Sequence, residues 1–98
     1  MPSDAVTVAP HLYTVVLENE RVRVLAVRGK PGDKTERHAH PAYLAIAITD
    51  GNCRFTRPDG QAVDVAFKAG QAIYQNPVEH TTEITGTTEA HVILVELK

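Results

Sequence analysis

The chain has 98 residues, enough for one hydrophobic core and too few for two. Hydrophobic residues at 43% and charged residues at 22% describe a globular protein rather than a disordered one. The formal net charge of −2, with the basic residues in no run, argues against a nucleic-acid partner. A lone cysteine, Cys53, excludes an internal disulfide, and no stretch approaches a membrane span, so a soluble cytoplasmic protein without a membrane partner is the default expectation.

Residues 1–10 read as a flexible N-terminal arm closed by Pro10, ahead of a single domain over residues 11–98. Residues 11–18 and 21–28 are both rich in β-branched side chains, and Asn19-Glu20 between them suits a hairpin turn. In the second run Val22, Val24 and Ala26 share one face and Arg21 and Arg23 the other, a period of two. A turn at residues 30–33 precedes a short strand over residues 35–40, which Pro41 ends. In residues 43–49 Leu44, Ile46 and Ile48 alternate with Tyr43, Ala45 and Ala47. The large set is expected to line the inside, and the alanines would let another layer or subunit approach. Asp50-Gly51-Asn52 and Pro58-Asp59-Gly60 bracket a strand over residues 53–57, followed by strands over residues 63–67 and 71–75. Residues 81–85, a break at Gly86 and a last strand over residues 90–97 complete the pattern. No stretch holds a helical period for three turns. Short strands with turns every eight to twelve residues predict an all-β sandwich or barrel without substantial helix.

The chemistry gathers in two places. His38 and His40 stand at i and i+2 in extended chain and so point to one face. His80, on a facing strand, would bring a third imidazole to the same spot. His11 and His91 read as surface residues, and Cys53 as a small buried hydrophobe. Ser3 is the only serine, which leaves no Ser-His-Asp chemistry, and no glycine-rich phosphate loop is present.

These residues resemble the small single-domain cupins. The first cupin motif is a glycine, five residues, His-x-His, three or four residues, a glutamate, six residues and a glycine. Gly32, His38, His40, Leu44 and Gly51 reproduce every spacing, with leucine in place of the glutamate. The second motif is looser: Gly70, Pro77 and His80 follow it, while Glu79 and Ile84 stand near its glycine and asparagine. The resemblance covers residues 11–97 and implies a double-stranded β-helix, or jelly-roll barrel, of roughly six to eight strands. It also implies one divalent metal ion (iron, zinc, nickel or manganese) bound by His38, His40 and His80. Glu36, in phase with both histidines, is the candidate for an additional polar site residue, and Leu44, Ile46 and Phe55 are the expected pocket lining. The implied function is a three-histidine metal-binding cupin acting on a small organic molecule, as a dioxygenase or a Lewis-acid isomerase, and assembled as a homodimer. The alternative is a metal-free or non-catalytic barrel that binds a small ligand or serves a structural role.

Overall fold

The computed structural model describes residues 4–98, so the reading of residues 1–3, Ser3 included, falls outside the described part. A four-residue helix α1 (Ala5–Val8) leads into nine strands: β1 (Tyr13–Glu18), β2 (Val22–Gly29), β3 (His38–His40), β4 (Tyr43–Ala47), β5 (Gly51–Thr56), β6 (Ala62–Phe67), β7 (Ala72–Gln75), β8 (Val78–Thr85) and β9 (Ala90–Leu97). They form a five-stranded sheet in the order β1-β2-β9-β4-β7 and a four-stranded sheet in the order β3-β8-β5-β6. The strand pairs are antiparallel, and the result is the expected all-β jelly roll. The β1–β2 turn is an Asx turn: Asn19 Oδ1 accepts from the backbone N–H groups of Arg21 (2.8 Å) and Val22 (3.0 Å). Among the described residues no helix is long and apolar enough to cross a membrane.

From residue 4 onward the expected flexible arm is packed structure. Asp4 caps α1 through its side chain, Ala5 and Ala9 are fully buried, and the Asp4 backbone bridges to Ala39 in β3. The two alanines pack in one cluster with Leu12, Tyr13, Leu25 and Val27. A single helical turn is too short to leave a period in the sequence, so the pattern missed it.

The direction of β4 is also opposite to expectation. Tyr43, Ala45 and Ala47 face inward and are buried, while Leu44 and Ile48 are exposed and Ile46 is half-buried. The interior at this level holds aromatic and imidazole rings around a cavity, and only small partners leave room for them. In β2 the inward set is Leu25, Val27 and Gly29, with Arg23 in phase, so Val24 and Ala26 look outward. The outward set joins into an apolar face. By register, Leu17, Val24, Val95, Leu44 and Tyr74 form one continuous row across all five strands of the larger sheet.

Close approach between the sheets depends on Gly29. A Cβ there would lie 2.6 Å from Leu12 Cδ2 and 2.9 Å from Ile84 Cγ1. Gly29→Ala is expected to destabilise the fold by about 1–3 kcal/mol through overpacking, read as a lower urea midpoint. An unchanged midpoint would mean that the two side chains move aside at no cost.

Candidate metal centre

Main-chain bonds fix the strand that carries two of the three histidines. His38 lies directly opposite His80 in the β3–β8 ladder, and His40 lies opposite Val78. The pairing continues upstream of β3: Thr35 N–H donates to Thr82 C=O (2.9 Å), Ile84 N–H to Asp33 C=O and Gly32 N–H to Ile84 C=O (both 2.8 Å). Gly32 sits at φ +95°, a conformation that glycine adopts without strain, and so turns the chain into this ladder.

The three rings meet edge to face, with centroids 4.9 Å (His38–His40), 5.0 Å (His38–His80) and 5.4 Å (His40–His80) apart. All three are buried, and one ring nitrogen from each lies within 4.8 Å of the others. His38 Nδ1 donates to the Glu36 carbonyl at 3.0 Å, with Thr35 Oγ1 at 3.2 Å. His40 Nδ1 donates to Glu96 Oε2 at 2.7 Å. These bonds assign the proton to Nδ1 and leave the Nε2 lone pair free in both rings. The Nε2 atoms of His38, His40 and His80 are all buried without a hydrogen-bond partner. Three converging imidazole nitrogens without a hydrogen-bond partner, two of them fixed as lone-pair donors, fit a divalent transition metal.

The electrostatics favour the same state. Burial, partly opposed by the bond to the Glu36 carbonyl and reinforced by the neighbouring His40, lowers the His38 pKa to about 4. Burial, then the neighbouring His38 and His40, lowers that of His80 to about 3. Both are therefore neutral at physiological pH.

Behind His40 stands a carboxylate that the motif does not contain. Glu96, 2% exposed, also accepts from Arg23 Nε (2.8 Å) and Nη2 (2.7 Å). Arg23 in turn holds both Asp4 oxygens, Nη1–Oδ2 at 3.2 Å and Nη2–Oδ1 at 2.5 Å. The hydrogen bonds to Asp4, then those to Glu96, outweigh burial and raise the Arg23 pKa. A second polar link joins Tyr13 Oη to Thr82 Oγ1 at 2.9 Å, and the Tyr13 ring packs on His38 and His40.

His40 and His80 face a cavity of about 130 Å³ that opens to solvent. Its walls include Tyr43, Ala45, Phe55, Phe67 and Leu94, with Gln75 and the exposed Arg57 as polar members. Phe55 stacks on His80 at 4.9 Å and 24°. Cys53 also lines it, and burial raises its thiol to about 11, so it stays protonated.

Several site expectations need correction. Glu36 is exposed, and only its carbonyl serves the site. Leu44 and Ile46 lie outside the cavity lining because β4 turns its odd-numbered residues inward. Thus Leu44 does not occupy the place of a fourth ligand. Glu79 pairs with Arg37 at 3.6 Å. The functional residues that the sequence reading missed are Glu96 and Arg23. Each left a signal: Glu96 is in phase with Val92 and Leu94, and Arg23 with Leu25 and Val27, charges on the buried face of a strand.

The chain belongs to the cupin family: the family model described as "Cupin domain" (Cupin_2) matches residues 25–96. Among individual relatives, it is 32% identical over 87 residues to the beta-alanine degradation protein BauB of Pseudomonas aeruginosa, covering 87% of this chain and 90% of that one. A crystal structure of a cupin domain from Bordetella pertussis is 31% identical, with a TM-score of 0.78, covering 89% of this chain and 92% of the other. A double-stranded β-helix protein from Klebsiella pneumoniae, 22% identical with a TM-score of 0.70, covers 88% and 70% respectively and shares the fold.

The lowered histidine pKa values predict a pH dependence. In the folded, metal-free protein His38 and His80 take up protons only near pH 4 and 3, whereas the unfolded chain does so near the ordinary 6.5. The unfolded state binds more protons across that window, so stability is full above about 6.5 and falls as pH drops, by up to about 1.4 kcal/mol per pH unit for each histidine. Melting temperatures of chelator-treated protein should fall steeply below about pH 6.5, and the steep part should disappear in the His38→Gln/His80→Gln variant. Equal slopes in the two proteins would contradict the assignment.

Proposed function

We propose that this cupin holds one divalent metal ion through Nε2 of His38, His40 and His80 and transforms a small carboxylate substrate beside it. The observation that carries the reading is the convergence of three buried nitrogens that have no other partner. Three neutral ligands leave the charge of the ion uncompensated. The cavity wall has no carboxylate, and its one charged side chain is Arg57, which no ion pair among the described residues engages. An anion therefore suits this cavity, and a guanidinium is the natural bidentate partner of a carboxylate. The beta-alanine degradation protein is named for breakdown of a small amino acid, which agrees with a small substrate that carries a carboxylate.

The protein residues divide the remaining work. Arg57 and Gln75 would hold the polar end of the substrate at the cavity mouth, and Phe55, Val65, Phe67 and Leu94 would enclose its carbon chain and exclude water. Bound iron would supply dioxygen-dependent oxidation of a chelating substrate, and zinc, nickel or manganese Lewis-acid activation.

We further infer that the protein works as a homodimer in the cytoplasm. The apolar row Leu17, Val24, Val95, Leu44 and Tyr74 offers the contact surface, in place of the alanines first expected there, because those alanines are buried inside the barrel.

Protein purified without an affinity tag should carry about one metal ion per chain by elemental analysis, and His38→Ala and His80→Ala should each lose most of it. Metal content near zero after reconstitution with iron, zinc, nickel and manganese would sink the reading. Oxygen consumption by iron-loaded protein over a panel of small oxo- and thiocarboxylates separates oxidation from Lewis-acid chemistry. Arg57→Ala should raise KM for carboxylates by about 10-fold or more while sparing kcat.

Leu44→Glu puts a charge in the middle of the outer row and is expected to yield monomers in sedimentation experiments while metal affinity stays unchanged. A rise in metal affinity would instead mean that position 44 faces the ion.

A further inference from the structure

We propose that the N-terminal segment, residues 4–9, is a working part of the metal centre. In this proposal Asp4, Arg23 and Glu96 form a positioning chain that holds the His40 imidazole and couples docking of the segment to metal affinity. The inference rests on the metal-binding reading above.

The segment reaches the ligand-bearing strand by two independent routes. Its main chain bridges from Asp4 to Ala39, the residue between the ligands His38 and His40. Its side chain reaches His40 through Arg23 and Glu96, in three charge-assisted steps with bonds between 2.5 and 3.2 Å. A surface ion pair would ordinarily contribute almost nothing. This one differs, because the Arg23 side chain is 17% exposed and that of Glu96 2%, so the guanidinium is the counter-charge of a buried carboxylate. Asp4 occupies both Nη atoms of Arg23, which orients the Nε and Nη2 edge toward Glu96. Without Asp4 the guanidinium can turn toward solvent or toward Glu18, which lines the same surface crevice. Glu96 would then lose part of its support, and the His40 ring its fixed acceptor.

Partners that orient a ligand imidazole typically account for 10–100-fold in metal affinity. Glu96→Gln should therefore weaken zinc binding by about that factor, measured by competition with a chromophoric chelator. Asp4→Asn, two steps further out, should weaken it by about 3–10-fold and perturb the visible spectrum of the cobalt-loaded protein. Coupling is reciprocal, so zinc should slow hydrogen exchange at the amides of Val8 and Ala9, which bond to the carbonyls of Asp4 and Ala5. If Glu96→Gln does not fold, Asp4→Asn carries the test, since Asp4 lies at the edge of the fold.

Zinc affinity unchanged in Asp4→Asn, with zinc bound by the wild type, would overturn the coupling. If the wild type binds no metal, the metal reading fails, and the positioning half is still read in the metal-free protein by nitrogen NMR at fixed pH. There His40 should be a single Nδ1–H tautomer in the wild type and a mixture in Glu96→Gln. A mixture already present in the wild type would refute the proposal.

Discussion

The structure depends on one buried carboxylate. Glu96 projects from β9 of the larger sheet and meets His40 on β3 of the smaller one, so the bond between them spans the two layers. A carboxylate 2% exposed is stable there only because a guanidinium and an imidazole N–H supply its hydrogen bonds. Tyr13 Oη to Thr82 Oγ1 makes a second polar tie between the same layers. These two contacts tie the histidine-bearing strands β3 and β8 to the larger sheet.

The all-β fold was legible because turns at Asn19, Gly51 and Gly60 punctuate runs of period two, and each becomes a strand boundary. The histidine set was legible because i and i+2 on a strand share a face whatever the rest of the fold does. Orientation was not legible. Leu44 and Tyr43 are both large, and period two does not say which of two apolar sets faces in. The usual rule, large residues inside, failed because this interior is partly cavity, and the alanines of β4 make the room. Glu96 was overlooked because it lies outside both motifs. A charge in phase with Val92 and Leu94 was the signal, and it becomes meaningful only once β2 supplies Arg23 beside it.

The site and the outer face share a strand. In β9, Val92, Leu94 and Glu96 look into the barrel, and Ile93 and Val95 look out. β4 does the same with Tyr43 and Ala45 against Leu44 and Ile46. Pressure applied to the outer row thus lies one residue away from the support of His40, with the sheet itself as the connection. The absence of a glutamate from the first motif changes the placement of negative charge, which here sits behind His40 rather than inside the cavity.

The directly opposed His38 and His80 carry a consequence for how this chain folds. β3 is three residues long, and 41 positions separate the two partners, so loop closure must precede the pairing. A slip of one residue in β3 would turn both of its imidazoles away from the interior and bring Ala39 in. Such a misaligned barrel would keep nearly all its backbone bonds and lose two of the three clustered imidazoles. The register is guarded by the ladder ahead of β3, where Asp33, Thr35 and Gly32 bond to Ile84 and Thr82. The loop that seems only to lead into the motif is thereby its alignment mark.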